Sequence, residues 1–437
     1  VAHATARSGY LDLVERLNRT PQGAPPSDLL YRILALLFSE KEAGLVALLP
    51  VKPFTLATAA RAWKTTPHEA RKTLDALAAR ALLLDAERNG ETRWVLPPPM
   101  AGFFEFSMMR VRDDIDQKAL AELFFEYLNV EEDFVRELFA RGETQLGRAF
   151  VNEDAVPPDE VLHVLDWERA SEVARSARHA AVGVCYCRHK MRHVGRACDA
   201  PLEICLTFGT TADSLSRHGF ARRIDAPEAL DLLAEARSKG LVQFGENVRE
   251  SVAFICNCCG CCCEALLAQK RFGTFRPVHT TGFLPVVDAG SCNGCGACAK
   301  ACPVDAMVLV PAGDPRLPNR RVARLAEEAC LGCGVCVPAC RKEALGLVRR
   351  AERVIPPRTT ALRFVRMALE RGRLADIVFD DRTLVSHRVL ATLLGALLHL
   401  PPVERALARE QVKSVYLEKL FEAWERRTGS QAETPRA

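Results

Sequence analysis

Two short cysteine runs constrain this chain more than any other feature. Cys292-Asn-Gly-Cys295-Gly-Ala-Cys298-Ala-Lys-Ala-Cys302-Pro303 is one, and Cys330-Leu-Gly-Cys333-Gly-Val-Cys336-Val-Pro-Ala-Cys340 repeats it. Three thiolates spaced this way can wrap three corners of one metal–sulfur cage, provided the loop curls tightly. Gly294, Gly296, Gly332 and Gly334 permit that curl and let backbone N–H groups approach the sulfurs. A zinc site fits less well, because it usually draws on two C-x-x-C pairs rather than three consecutive cysteines and a fourth.

The runs resemble the C-x-x-C-x-x-C-x-x-x-C-P pattern of bacterial two-cluster ferredoxins. That resemblance implies two 4Fe–4S clusters whose loops exchange their fourth ligands. One cluster would take Cys292, Cys295, Cys298 and Cys340, and the other Cys330, Cys333, Cys336 and Cys302. Arg341 departs from the pattern, standing where a second proline would follow Cys340. The connection from Cys302 to Cys330 is also longer than in a minimal ferredoxin. Lys300, Arg341 and Lys342 lie near the cluster ligands in sequence and would favour the reduced, more negative clusters.

The chain has 18 cysteines, and the other ten fall into two upstream groups: Cys185, Cys187, Cys198 and Cys205, then Cys256, Cys258, Cys259, Cys261, Cys262 and Cys263. Six cysteines in so short a stretch cannot all ligate one cage, because neighbouring side chains of an extended chain point to opposite faces. By that alternation Cys259, Cys261 and Cys263 would face one centre, and Cys256, Cys258 and Cys262 another. Ten cysteines suffice for two more clusters. A zinc site and free or redox-active thiols are the competing readings, and additional iron–sulfur clusters are favoured over both. His189, His193, Arg188, Arg192 and Arg196 lie between Cys187 and Cys198. They read as a basic surface or as hydrogen-bond donors beside a cluster, with a histidine ligand less favoured. Cys258-Cys259-Gly260 is similar to the cysteine-rich motif of heterodisulfide reductase subunits. The partner cysteines at that family's longer spacing are missing, so its disulfide chemistry does not carry over. From Cys185 to Cys340 the whole pattern resembles a widespread group of 4Fe–4S ferredoxin-domain proteins of anaerobic microbes. That resemblance also implies a winged-helix-like N-terminal segment.

Cysteine-free flanks enclose this middle. Ser27 or Asp28 can cap a helix with Leu29, Leu30, Ile33, Leu34, Leu37 and Phe38 on its apolar face, and a second runs from Ala43 to Leu49. Thr55 opens a third, and Thr66 with Pro67 a fourth. Asn89-Gly90 then predicts a tight hairpin between Leu82–Glu87 and Glu91–Leu96. Helices followed by a two-stranded wing are the order of a winged helix. The expected fold is therefore α+β and multidomain, in five segments. They are a winged-helix-like domain (27–99), a helical linker region (100–180), a cysteine-rich Fe–S region (181–281), a dicluster ferredoxin domain (282–350) and a helical C-terminal region (356–425). The last residues, from about Arg426, read as disordered.

Composition limits the function. Net charge is only +4 over 437 residues, so no global charge signal calls for nucleic acid or an anionic membrane. The longest apolar stretches, Leu29–Phe38 and Leu393–Leu400, are too short to span a bilayer. The first residues show no secretory pattern, and Val1 in place of Met is consistent with a trimmed or alternative start. A cytoplasmic, reducing location is the expectation, in which cysteines serve as ligands rather than in disulfides. Ferredoxin-type electron transfer to a redox partner protein follows as the expected function. One alternative is a redox- or Fe–S-sensing DNA-binding regulator. Against it, Arg71, Lys72 and Arg80 on the expected recognition helix are offset by Glu69 and Asp75, and Arg88 and Arg93 on the wing by Glu87 and Glu91. A second alternative is an oxidoreductase subunit with substrate at an upstream cluster.

Overall fold

The computed structural model describes residues 8–161, 164–273, 276–352 and 354–398. The residues expected to be disordered from Arg426, and the part of the expected C-terminal helical region beyond 398, lie outside the described residues. The chain forms two compact units. One comprises residues 8–103, 142–144 and 358–398, and the other 104–141 and 145–357.

In the first unit, α1 (Gly9–Asn18), α2 (Asp28–Leu37) and α3 (Glu40–Ala47) precede strand β1 (Phe54–Thr55). Helices α4 (Leu56–Trp63) and α5 (Pro67–Ala78) follow, then strands β2 (Leu84–Arg88) and β3 (Glu91–Val95). Each start has a local cause. Ser27 caps α2, Thr55 caps α4, and the pairs Ser39/Glu42 and Thr66/Glu69 form capping boxes on α3 and α5. Leu30, Ile33, Leu34 and Leu37 bury the single apolar face of α2. Asn89 and Gly90 both adopt positive φ, at 52° and 76°, as a two-residue hairpin turn demands. β1 joins the hairpin to give the order β1-β3-β2, with Phe54 opposite Trp94. The two-residue β1 carries no periodic signal of its own.

The second unit opens with the short helices α6 (Phe104–Phe106), α7 (Gln117–Phe125) and α8 (Asp133–Val135). Leu120, Leu123 and Phe124 are buried along α7, and Leu128 in the turn after it. A six-stranded antiparallel sheet follows, of which the sequence reading contained no hint. Its strands are β4 (Gly147–Ala149), β5 (Ala180–Val184), β6 (Glu203–Phe208), β7 (Arg222–Ile224), β8 (Val242–Glu246) and β9 (Phe254–Cys258), in the order β4-β8-β9-β6-β5-β7. Between them come α9 (Ala170–Ser176), α10 (Tyr186–His193), α11 (Gly209–Arg217) and α12 (Ala226–Ser238). Val173, Ala174, Ala229 and Leu233 of α9 and α12 pack with Val182, Leu206, Phe208 and Ile255 of the sheet in one core. Strands covered in this way read as short apolar runs without alternation, which explains why they escape a periodicity argument.

Helix α13 (Glu264–Phe272) leads to two paired ribbons that carry the cysteine runs. β10 (Phe283–Val287) pairs with β13 (Leu345–Arg349), and β11 (Met307–Pro311) with β12 (Arg321–Leu325), each antiparallel over five residues. The short α14 (Ala297–Ala301) carries Cys298 and ends at Cys302, the last cysteine of the first run. The tail then returns to the first unit as α15 (Thr360–Glu370), α16 (Leu374–Val378) and α17 (Val385–Leu398). There Ala368 and Ile377 pack on Val51, and Asp380 and Asp381 pair with Lys52 at 3.1 Å and Arg61 at 2.8 Å.

Gly245 sits where two strands and an aromatic ring converge. A Cβ there would lie 2.7 Å from both the Phe254 carbonyl oxygen and the Phe150 ring. Gly245→Ala should therefore cost about 1–3 kcal/mol, the usual penalty of overpacking. Urea unfolding of the anaerobic protein measures it, and an unchanged midpoint would show that the sheet yields more easily than this packing implies.

Candidate metal centres

Each cysteine run closes over a cavity, and the fourth cysteine of each run lies in the other run's cavity. Cys292, Cys295, Cys298 and Cys340 line one. Cys302, Cys330, Cys333 and Cys336 line the other. The walls are otherwise mainly apolar, with Val287, Leu309 and Leu345 beside Asn293 and Lys342 in the first, and Pro285, Met307 and Leu331 in the second. Gly294 and Gly332 make the curl possible. Both have φ of 69°, and a Cβ would stand 2.3 Å from the Arg321 carbonyl oxygen in one case and 2.1 Å from that of Phe283 in the other. Backbone N–H groups already point at sulfur. Ala323 donates to Cys292 Sγ at 3.4 Å, Ala306 to Cys302 Sγ at 3.2 Å and Gly332 to Cys330 Sγ at 3.3 Å. Four converging thiols, amide donors to sulfur and a dry wall form the donor set that a 4Fe–4S cluster requires. Without a metal, burial pushes the Cys330 thiol up and that of Cys336 to about 12, so these thiols resist ionising until a cation shares the site.

The two cavities are set differently in the unit. Cys295 is exposed, whereas Cys330 and Cys336 are buried. The second run is also tied to the surrounding fold. Asn152 N–H donates to the Cys333 carbonyl at 2.9 Å, Thr281 Oγ1 to that of Gly332 at 2.7 Å and Arg350 to that of Cys330 at 3.0 Å. The first cavity is therefore the outer one and the second the inner one.

The ten upstream cysteines assemble at the ends of β5, β6 and β9. They do not sort by alternation. Cys198, Cys259, Cys261 and Cys262 bring their sulfurs within 4.8 Å of one another. Cys185, Cys187, Cys258 and Cys263 meet elsewhere through thiol hydrogen bonds, and Cys205 lies 3.5 Å from Cys256, which bonds Cys258. Cys262 and Cys263 thus exchange sides relative to the expectation. The cause is local: β9 ends at Cys258, and residues 260–262 form a turn, so strand alternation stops there. Cys185 and Cys263 are the N-caps of α10 and α13, where the helix dipole favours thiolate. A hydrogen bond from Cys187 holds the Cys185 thiol below its ordinary range and that of Cys263 well below.

The basic residues between these cysteines divide between the two expected readings, surface and buried donors. Arg192 and Arg196 are exposed, but Arg188 and His189 are buried. His189 Nδ1 is engaged with the Met108 carbonyl at 2.8 Å, and burial lowers its pKa. Arg188 donates to the carbonyls of Pro201 at 2.8 Å and Asn257 at 2.6 Å, which joins the two cysteine-bearing segments. Burial opposes its charge, but the sulfurs of Cys185, Cys259 and Cys258 hold its pKa above the usual value. Sequence reasoning missed a second link. Lys190 forms a buried ion pair with Glu264, whose other oxygen accepts from Asn129 at 2.7 Å. Its signal was the placement of each charge, Lys190 three residues after Cys187 and Glu264 directly after Cys263. The pair fixes α10 to α13 and so fixes the cysteines at their starts.

The turn after β9 also touches the wall of the inner cavity, at the end of the first run. A Cβ on Gly260 would lie 2.3 Å from the Pro303 carbonyl oxygen, so this turn is seated against the residue that follows Cys302. Lys270 pairs with Asp305 at 3.2 Å, and Gln269 donates to the Ala329 carbonyl at 3.3 Å.

Comparison with known families gives one match: the family described as "4Fe-4S dicluster domain" covers residues 291–344. The segment carrying both cysteine runs is thus a 4Fe–4S dicluster domain, and 4Fe–4S clusters are its cofactors. No curated protein and no solved structure matches the chain.

Removing one member of the buried ion pair strands the other. Lys190→Met should destabilise the protein by about 3–5 kcal/mol and lower the occupancy of the upstream cysteines. Lys190→Met combined with Glu264→Leu should recover part of the loss. Denaturant unfolding of the three proteins checks this, and a double variant no better than the single would refute the coupling.

Proposed function

We propose that this chain is an iron–sulfur electron-transfer protein that serves a redox partner protein. The observation that carries the reading is the sorting of eight cysteines into two sets of four, each around its own cavity. Cys292, Cys295, Cys298 and Cys340 would hold the outer cluster, and Cys330, Cys333, Cys336 and Cys302 the inner one. Bound clusters supply reversible one-electron chemistry. The chain's own residues do the rest. Leu309, Leu345, Met307 and Leu331 exclude water, and the N–H groups of Ala323, Ala306 and Gly332 stabilise charge on sulfur. Lys342 lines the outer cavity and favours its reduced state. The route would run from the exposed Cys295 side, through the inner set, toward the upstream cysteines beside Pro303.

The segment 27–99 would act as a winged-helix-like module that docks a protein rather than DNA. Three of its arginines are already engaged. Arg71 pairs with Asp75 at 2.8 Å and lies over Trp94, Arg93 pairs with Glu91 at 3.0 Å, and Arg80 with Glu42. Neutralised arginines cannot supply the counterion release that drives DNA binding. Among the described residues no helix is long and apolar enough to cross a membrane.

Ligand exchange between the runs is directly testable by cluster-resolved EPR with iron and sulfide analysis under anaerobic conditions. Cys340→Ala should remove the same signal as Cys298→Ala, and Cys302→Ala the same signal as Cys336→Ala, each with a loss of about four irons. If Cys340→Ala instead silenced the Cys336 signal, the assignment would be wrong. In gel-shift assays, binding to duplex DNA should be weak and change little with salt. A steep salt dependence that altered on oxidation would turn the module into a regulator's reading head.

A further inference from the structure

We infer that Cys198, Cys259, Cys261 and Cys262 hold a single tetrahedral metal ion, zinc or iron, distinct in kind from the cubane clusters. Their sulfurs lie 3.5 Å (Cys198 to Cys259), 3.9 Å (Cys198 to Cys262) and 3.7 Å (Cys261 to Cys262) apart, and all within 4.8 Å. One ion with metal–sulfur bonds of about 2.3 Å places tetrahedral thiolates about 3.8 Å apart. A cubane seats its four thiolates on four separate irons and must spread them wider. The separations match one ion.

The architecture fits a closed site. Three donors come from one tight turn and the fourth from the loop after α10, so no coordination position is left for substrate. Four thiolates around a divalent ion carry two excess negative charges. Arg188, buried beside Cys259, offsets part of that charge and fixes both ligand segments through the carbonyls of Pro201 and Asn257. The remaining upstream cysteines form a separate group, so the ion does not compete with a cluster there. The site also has a mechanical role, which rests on the two-cluster reading above. The ion locks the turn that carries Gly260, and Gly260 bears on Pro303 beside the inner ligand Cys302.

Elemental analysis with acid-labile sulfide on the full chain, purified anaerobically, tests the inference. About one ion per chain should exceed the iron that accompanies sulfide. It will be either zinc or an iron whose oxidised form gives a high-spin ferric EPR signal. Cys198→Ser and Cys261→Ser should each lose that ion and no sulfide. Cys261 is exposed, so its variant probes the site with little risk to folding. Protein produced with cobalt should show the visible and charge-transfer bands of a tetrahedral thiolate site, and Cys261→Ser should lack them. In Cys261→Ser the inner-cluster EPR signal should shift while the outer one stays. Parallel loss of iron and sulfide in either variant would mean a cluster and overturn the inference, as would no loss of metal. Failure of the two-cluster reading shows separately, as absence of iron and sulfide that respond to Cys298→Ala or Cys336→Ala.

Discussion

Converging thiols in a dry cavity is the constraint on which the second unit is built. Four sulfurs around one space repel once ionised, and burial makes their ionisation harder still, as the raised pKa of Cys336 shows. Such a set is stable only when a cation holds the charge. Metal binding is therefore part of folding here, as for other thiolate sites that form only with their metal. The glycine loops, the ribbons β10/β13 and β11/β12, and the amide donors to sulfur all serve this geometry.

The upstream cysteines meet the same constraint by different means. No local repeat brings them together. The neighbouring strands β9, β6 and β5 deliver them to one end of the sheet, and the helices α10 and α13 present their N-termini to them. Two buried cations support this arrangement. Lys190 is neutralised by Glu264, whereas Arg188 faces sulfur and backbone carbonyls. Lys190 therefore ties helices together, and Arg188 adds to the field at the thiols. A buried ion pair rarely adds much stability relative to apolar packing, but breaking one is costly, which suits a device for fixing geometry.

This division explains what could be read before the structure. The dicluster segment was legible because each cysteine run lies within about a dozen residues, and glycines mark where the loop must turn. The capped helices α2, α4 and α5 and the Asn89-Gly90 hairpin were legible for the same reason, since caps and turns are local chemistry. The pairing of Cys205 with Cys256, or of Cys198 with Cys259, depends on β6 lying beside β9. Nothing within either segment encodes that neighbourhood. Alternation failed at Cys262 and Cys263 because a strand rule was carried past the end of a strand. The return of α15 and α16 to pack on Val51 was equally hidden, being a contact between distant segments.

The asymmetry of the two ferredoxin cavities gives the unit a direction. An electron carrier needs one site near solvent, where a partner can approach, and benefits from burial elsewhere, which keeps oxidants away. Cys295 is exposed on the outer side. The inner run is anchored through Asn152, Thr281 and Arg350, and the inner cavity abuts Gly260 through Pro303 in its wall. Charge follows the same order: Lys342 lines the outer cavity, while Arg350 reaches the inner run at the Cys330 carbonyl. Arg320 also donates to the Cys292 carbonyl at 3.3 Å, so each run has an arginine at the carbonyl of its first cysteine. What separates the two is access: Cys295 stands exposed, whereas Cys330 and Cys336 are buried.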